Sequence, residues 1–194
     1  MPIPPGPRIP HDKEKAVMDH ERLAGNVVPF ARRWQVIHEI DLVRLIGAQR
    51  RRAELCDRLE AVGDGLPALP PRYELAALCG ALAEIAARGE PSLEAMLLKD
   101  ADDALGAALL DHIRIRCMND ATAAQELIDM LGPAVASDRR PTADALGYML
   151  RGFFTGCRHA IDFEQLAILA SAGHRLTRNA RTMLIDSLSV RREG

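Results

Sequence analysis

Apolar residues recur along this chain at intervals of three and four, which is the spacing of one face of an α-helix. The pattern predicts four long helices, A to D, followed by a shorter helix E. We predict these helices at residues 34–62, 72–99, 104–131, 141–173 and 177–191, with helix B interrupted at Gly89-Glu90-Pro91 because proline removes a backbone donor. No stretch of alternating apolar and polar residues is long enough to predict a β-strand, so the predicted fold class is all-α.

The predicted inward faces are mostly leucine and alanine. A few polar residues occupy positions at which the helical period predicts an apolar residue. The faces are, from A to E: Leu42, Leu45, Ile46, Gln49, Ala53, Cys56 and Leu59; Leu75, Leu78, Leu82 and Ile85; Leu105, Leu109, Ile113, Cys117, Asp120, Ala124, Leu127 and Leu131; Leu146, Leu150, Phe153, Cys157, Ala160, Glu164 and Ile168; and Ala180, Met183, Leu184 and Leu188. The polar residues within these faces are the first candidates for a functional site.

The breaks between the helices are short. Residues 63–71, GDGLPALPP, separate A from B, Asp102 and Asp103 predict a cap for helix C, and Gly132-Pro133 predicts its end. Short connections make sequential helices antiparallel neighbours. The sequence therefore predicts an up-and-down four-helix bundle with a short C-terminal fifth helix.

The first 33 residues differ from the rest. Five prolines lie within residues 1–10, and the segment up to Arg33 is polar and without sustained periodicity. We predict a flexible, Pro-rich N-terminal arm at 1–33 and a helical bundle at 34–192. Val27, Val28 and Phe30 interrupt the arm's polarity and could dock onto the bundle or a partner.

Composition narrows the function classes. Apolar residues make up 48% of the 194 residues and aromatic residues only 4%, a mixture that supplies a core and favours helices. The formal net charge of −2 provides no basic field for nucleic acid or anionic lipid, and no apolar run reaches the roughly 20 residues of a membrane span. We expect a cytoplasmic, bacterial-type protein with no signal peptide, no nucleic-acid partner and no membrane contact.

Each predicted main helix carries one cysteine: Cys56, Cys79, Cys117 and Cys157. In a reducing cytosol these are expected to be free thiols. Counted from the helix ends at 1.5 Å per residue, Cys56 and Cys79 fall near one level of the bundle and Cys117 and Cys157 near another, about 12 Å away. That separation excludes a shared four-thiolate zinc site. Single core thiols and two separate pairs both remain open.

Three segments resemble the bacterial hemerythrin-like (HHE cation-binding) family: residues 50–88, residues 145–177 and, more weakly, residues 117–131. The resemblance implies a four-helix bundle that holds two irons through histidines and carboxylates from all four helices. The implied elements are a histidine on helix A, an HxxxE motif on helices B and D, and a histidine with a nearby acid on helix C.

The chain departs from that family pattern on every helix. Gln49 stands at the histidine position of helix A, Arg88 or Gly89 at that of helix B, and Cys117 at that of helix C. On helix D the motif reads Ala160 to Glu164, so only its carboxylate remains. A five-histidine di-iron site therefore cannot form, and oxygen carriage is not expected.

The residues left at those positions define a degenerate candidate metal site: Gln49, Cys117, Asp120, His159 and Glu164, with the displaced Glu94 at its edge. The resemblance makes iron or zinc the alternative cofactor. The other interpretation is that the buried acids are neutralised by a guanidinium acting with Gln49, and Arg50, Arg52, Arg88 and Arg116 all fall near that level.

Two functions follow from these interpretations. In the first, the chain is a non-catalytic regulatory or protein-binding module that binds no cofactor and contacts a partner or a second copy of itself. In the second, it is an oxygen, redox or metal sensor with a non-standard ligand set. The sequence contains no nucleophile elbow and no Gly-rich phosphate loop, so we do not expect an enzyme.

Overall fold

The computed structural model describes residues 36–87, 93, 96–97, 103–137 and 141–192. Five helices account for most of them: α1 Glu39–Gly65, α2 Arg72–Ala87, α3 Ala104–Ser137, α4 Ala143–Ser171 and α5 Arg178–Arg192, with a 3-10 turn at Gly173–Arg175 between α4 and α5. Within these ranges the only β pairing is an isolated bridge between Ile37 and Leu176. The predicted all-α class is confirmed. The predicted arm at 1–33, with Val27, Val28 and Phe30, lies outside the described residues.

Helices α1 and α3 differ from the prediction at their ends. Helix α1 begins five residues later than expected and continues through Gly63 to Gly65, where Leu66 begins the connection to α2. Helix α3 does not stop at Gly132-Pro133 but continues through Pro133 to Ser137. Proline in a helix costs a hydrogen bond, but the extra turn buries Ala134 in the core, which offsets part of that cost. The predicted cap of α3 is present, because Asp103 Oδ1 accepts a hydrogen bond from the Gly106 amide at 2.6 Å.

The helices pack in a chain of neighbours. Helix α1 packs along α4, α4 along α3, and α3 along α2, while α1 and α2 approach each other at few positions. Helix α5 covers α1 and α4. The start of α1 is also tied to the segment before α5, where the Ile37 amide donates to the Arg175 carbonyl at 2.9 Å.

Two apolar cores fill the space between these helices. The first core consists of Leu55, Cys56, Leu59, Val62, Leu75, Leu78, Leu82, Ala124, Leu127, Leu131, Ala134, Leu146, Leu150, Phe153, Phe154 and Cys157. The second core consists of Ile37, Leu42, Leu45, Leu93, Met96, Leu97, Leu110, Ile113, Ala167, Ile168, Ala172, Leu176, Ala180 and Leu184. Each fully buried leucine contributes roughly 1.5–3 kcal/mol relative to exposure, so both cores drive helix association.

The residues that we predicted to face inward are buried or half-buried, except at the start of α3. Every residue of the face predicted for α4 is buried. Leu105, which we predicted to be inward, is 59% exposed, and the first buried leucine of α3 is Leu110. Leu105 lies in the first turn of α3, before the stripe that faces α4 begins. No helix in the described part of the chain is both long enough and apolar enough to cross a membrane.

Candidate functional site

A layer of polar side chains separates the two cores. On α1 the layer falls between Leu45 of the second core and Leu55 of the first, and on α3 and α4 it occupies the equivalent gap. Within the described residues it consists of Gln49, Arg52, Arg116, Asp120, Glu164 and Gln165, of which Gln49, Asp120, Glu164 and Gln165 are buried. We call these six residues the polar layer. Buried polar groups are costly unless they are paired, so their partners define what the layer can do.

Glu164 lies at the centre of the polar layer. Its Oε2 accepts a hydrogen bond from Gln49 Nε2 at 2.8 Å and a second from Arg52 Nη2, which also forms an ion pair with it. Gln49 and Arg52 are three residues apart, so both project from the same side of α1 towards α4. The Arg52 side chain is only 12% exposed, which makes this a buried ion pair between the two helices.

Two glutamines extend the network to α5. Gln165 Nε2 donates to Gln49 Oε1 at 2.5 Å and to Ser187 Oγ at 3.1 Å. The carbonyl oxygen Oε1 of Gln165 is buried and accepts no hydrogen bond from the described residues. The polar layer therefore joins α1, α4 and α5 through side-chain amides as well as through charge.

The second ion pair of the layer lies within α3. Arg116 Nη2 is 2.9 Å from Asp120 Oδ1, one turn further along the helix. Burial raises the pKa of Asp120, and this effect outweighs the lowering by the charge and hydrogen bond of Arg116 and by the charge of Arg52. Glu164 also raises the pKa of Asp120 through charge repulsion, so the two carboxyl groups are electrostatic neighbours.

Three clefts formed by described residues reach the polar layer from outside. The largest, about 480 Å³, lies between α1 and α2 and has Arg52, Cys117 and Asp120 among its lining. A cleft of about 210 Å³ between α3 and α4 reaches Arg116 and Glu164. A third, of about 400 Å³, lies between α1 and α5 and reaches Gln49. Most of the polar layer is therefore buried, but some of its side chains line clefts that open to solvent.

The structure brings together three of the five predicted site residues. Gln49, Asp120 and Glu164 all belong to the polar layer. Cys117 is half-buried and shares the α1/α2 cleft with Asp120. His159 is exposed and lines the α3/α4 cleft instead of the interior, consistent with its position beside the apolar stripe of α4. Glu94 lies outside the described residues.

Of the four arginines that were predicted to lie near this level, Arg52 and Arg116 belong to the polar layer. Arg50 is exposed, and Arg88 lies outside the described residues. Gln165 was not predicted, and its only signal in the sequence is a polar residue directly after Glu164. Arg175 was not predicted either; it is a buried arginine whose Nη2 donates to the Met96 carbonyl at 2.9 Å.

The polar layer does not fit the di-iron centre that the family resemblance implies. It contains two carboxylates, but each is already paired with a guanidinium, and Glu164 Oε2 also accepts a hydrogen bond from Gln49. A divalent cation placed there would also be repelled by Arg52. In the part of the chain that the structure describes, no group of three or more histidine, cysteine or carboxylate side chains is arranged to hold a metal ion.

The prediction that Cys56 and Cys157 lie at different heights along the bundle is wrong. Cys56 and Cys157, which we placed about 12 Å apart, are hydrogen-bonded to each other. The prediction failed because it placed the end of α1 and the start of α4 at the same height, and they are staggered. Gly147 lies four residues after the start of α4, yet a Cβ on it would be 3.3 Å from Leu66 Cδ1, just beyond the end of α1. None of the four cysteines forms a disulfide.

Comparison with protein-family models, with curated proteins and with solved structures finds no match to this chain. The hemerythrin-like assignment therefore stays a prediction based on the residues quoted above.

Proposed function

We propose that this chain is a hemerythrin-like, up-and-down four-helix bundle in which arginine takes the place of metal, and that it acts as a non-catalytic regulatory or protein-binding module. The helix packing supports the architecture. In an up-and-down bundle each helix packs on its sequence neighbours and the last packs on the first. The contacts of α2 with α3, α3 with α4, and α4 with α1 support this arrangement, whereas α1 and α2 approach each other at few positions.

The observation that carries the proposal is the interaction of Arg52 and Gln49 with Glu164. The resemblance places metal ligands at the positions of Gln49 on α1 and Glu164 on α4, and these two side chains are hydrogen-bonded. Arg52 supplies the positive charge next to them. A layer with two guanidiniums and two carboxylates is neutral without a metal, and it offers no open coordination position for oxygen or substrate chemistry.

If the polar layer has only a structural role, a protein partner must bind to the outer surface of the bundle. Ile40 and Val43 are 56% and 51% exposed and lie three residues apart on α1, and Ile115 and Met118 are 59% and 70% exposed with the same spacing on α3. Exposed apolar pairs of this kind are candidate contacts for a protein partner or a second copy of the chain.

Thermal unfolding tests the metal part of the proposal. The purified full chain is unfolded with a chelator, with Zn²⁺, and with Fe²⁺ under anaerobic conditions. We expect the same Tm in all three. A ligand at 1,000 times its Kd would add about 4 kcal/mol, which for a chain of this size is a rise of roughly 8–16 °C. A rise of that order with iron or zinc would favour the alternative, a metal-dependent sensor.

Sedimentation velocity tests the protein-binding part. If the α1 pair mediates self-association, the double variant I40E/V43E should be monomeric at concentrations where the unmodified chain is not. Tyr73→Glu on α2 is the matched control, because Tyr73 is 77% exposed and lies on a different helix. A chain that is monomeric throughout would exclude self-association and leave a different protein as the partner.

A further inference from the structure

Two wholly buried thiols meet across the interface between α1 and α4. Cys56 and Cys157 are both 0% exposed, belong to the first core and are hydrogen-bonded side chain to side chain. The residues that follow them confirm that these two helix segments face each other, because Arg158 Nη2 lies 2.7 Å from Asp57 Oδ1. The other two cysteines, Cys79 and Cys117, are only half-buried, and they belong to different helices.

The two sulfurs are not equivalent. The hydrogen bond from Cys56 lowers the pKa of Cys157, because it favours a thiolate on the accepting sulfur. The same hydrogen bond, together with burial, raises the pKa of Cys56. Burial opposes a Cys157 thiolate, as do the charges of Asp120 and Glu164, whereas the charge of Arg52 favours it. Since the thiolate is the reactive form of cysteine, Cys157 is the better nucleophile of the pair.

We propose that Cys56 and Cys157 are a redox-modification site that forms a reversible disulfide between α1 and α4, with hydrogen peroxide as the oxidant. The Cys157 thiolate attacks one peroxide oxygen, the O–O bond breaks, and the departing hydroxide takes a proton to leave as water. Cys157 is now a sulfenic acid. Cys56 then attacks that sulfur, the S–O bond breaks, and the hydroxide leaves with the proton of Cys56 as a second water. Two thiols and one peroxide give one disulfide and two waters.

The position of this pair gives the modification a consequence for the fold. Cys56 lies four residues from Arg52, about one turn of α1, so the disulfide would join α1 to α4 beside the ion pair at the polar layer. It would close a loop of about 100 residues, which restricts the unfolded chain strongly. Oxidation is therefore expected to raise Tm and to reduce the motion of α1 against α4. This inference does not depend on the function proposed above.

Peptide mapping of the full chain tests the proposal. The protein is exposed to graded hydrogen peroxide, free thiols are blocked, and the chain is digested without reduction. We expect a cross-linked peptide pair containing Cys56 and Cys157 that dithiothreitol releases. Because both thiols are buried, the reaction should be slower than oxidation of Cys79 and Cys117. Recovery of both cysteines as reduced thiols, as sulfinic or sulfonic acids, or in disulfides with Cys79 or Cys117 would overturn the proposal.

Alanine variants test the order of attack, and alanine suits a site that is apolar and fully buried. In Cys56→Ala, peroxide with dimedone should label Cys157 as a trapped sulfenic acid, because its resolving partner is gone. In Cys157→Ala, Cys56 should remain unlabelled. The matched controls C79A and C117A should form the Cys56–Cys157 disulfide as the unmodified chain does. Equal labelling of Cys56 and Cys157 would contradict the assigned roles. The peptide mapping uses the unmodified chain, so it tests the disulfide even if a variant does not fold.

Discussion

Gly156 on α4 lies directly against the guanidinium of Arg116 on α3. A Cβ built on Gly156 would overlap Arg116 Nη2. The absence of a side chain at 156 therefore allows the Arg116 guanidinium to lie against α4 while it pairs with Asp120. One glycine on the facing helix thus determines the geometry of an ion pair in the polar layer.

Gly156→Ala should displace Arg116. The guanidinium is the end of a flexible side chain, so it can move, but moving it weakens the ion pair with the buried Asp120 carboxylate. The matched control is Gly152→Ala on the same helix, where a Cβ meets nothing within 4 Å. Alanine at 152 should stabilise the chain by roughly 0.5–1 kcal/mol.

We expect Gly156→Ala to be less stable than Gly152→Ala by about 1–3 kcal/mol, the cost of leaving a buried charged group poorly paired. Denaturant unfolding of both variants measures the difference. Equal stabilisation by the two substitutions would show that the contact with Gly156 is irrelevant to the Arg116–Asp120 pair.

Glu164→Leu should destabilise the chain by about 3–5 kcal/mol, because it removes the carboxylate that Arg52 and Gln49 contact and leaves a buried guanidinium without that partner. The double variant R52M/E164L should recover most of the loss, since a well-packed apolar pair often replaces a buried ion pair at no cost. Denaturant unfolding of Glu164→Leu, Arg52→Met and the double variant gives the coupling energy between the two sites.

Arg158→Met is the control for that cycle. Arg158 pairs with Asp57 and Glu60 but its side chain is 37% exposed, so this ion pair is screened by water. Its loss should cost less than about 1 kcal/mol. A cost for Glu164→Leu as small as that of Arg158→Met would mean that the polar layer is not a buried network.

Asp120 should make the chain lose stability as pH rises. Its pKa is raised in the folded state, so the folded state binds its proton more tightly than the unfolded chain, in which an aspartate has a pKa near 3.9. The stabilisation from that proton is fully present below about pH 3.9 and is lost as pH rises through the folded-state pKa.

Asp120→Asn removes this titration, and it keeps a carbonyl oxygen that Arg116 can still donate to. Relative to the unmodified chain, the variant should gain stability as pH rises from about 3.9 through the folded-state pKa of Asp120, by about 1.4 kcal/mol in total for each unit by which that pKa is raised. Urea unfolding across that range checks the slope. A variant that loses stability relative to the unmodified chain as pH rises would show that Arg116 outweighs burial.

Much of the fold could be predicted because the apolar stripes are regular. The stripe on α4 is buried at every predicted position, and Gln49, Asp120 and Glu164 stand out because they interrupt such stripes. The identity of the arginine that meets Glu164 could not be predicted in the same way. Arginine side chains are long, and residues 50–52 are all arginine, so only the rotation of α1 against α4 places Arg52 inward and Arg50 outward.

Features that depend on how helices are offset could not be predicted. The cysteine levels were wrong because α1 and α4 do not end at the same height, and sequence spacing contains no information on that stagger. Gln165 and Ser187 form their hydrogen bond only because α5 folds back across α4. Helix α3 continues through Pro133 although proline favours the end of a helix, and the added turn buries Ala134 in the first core, which offsets part of the cost.

Elemental analysis of the full chain, purified without chelator from cells grown with ample iron and zinc, tests the central claim most directly. If guanidinium groups neutralise the polar layer, the protein should be colourless and contain iron and zinc far below one ion per chain. Near-stoichiometric iron or zinc that disappears in Glu164→Gln but persists in Arg158→Met would contradict the account.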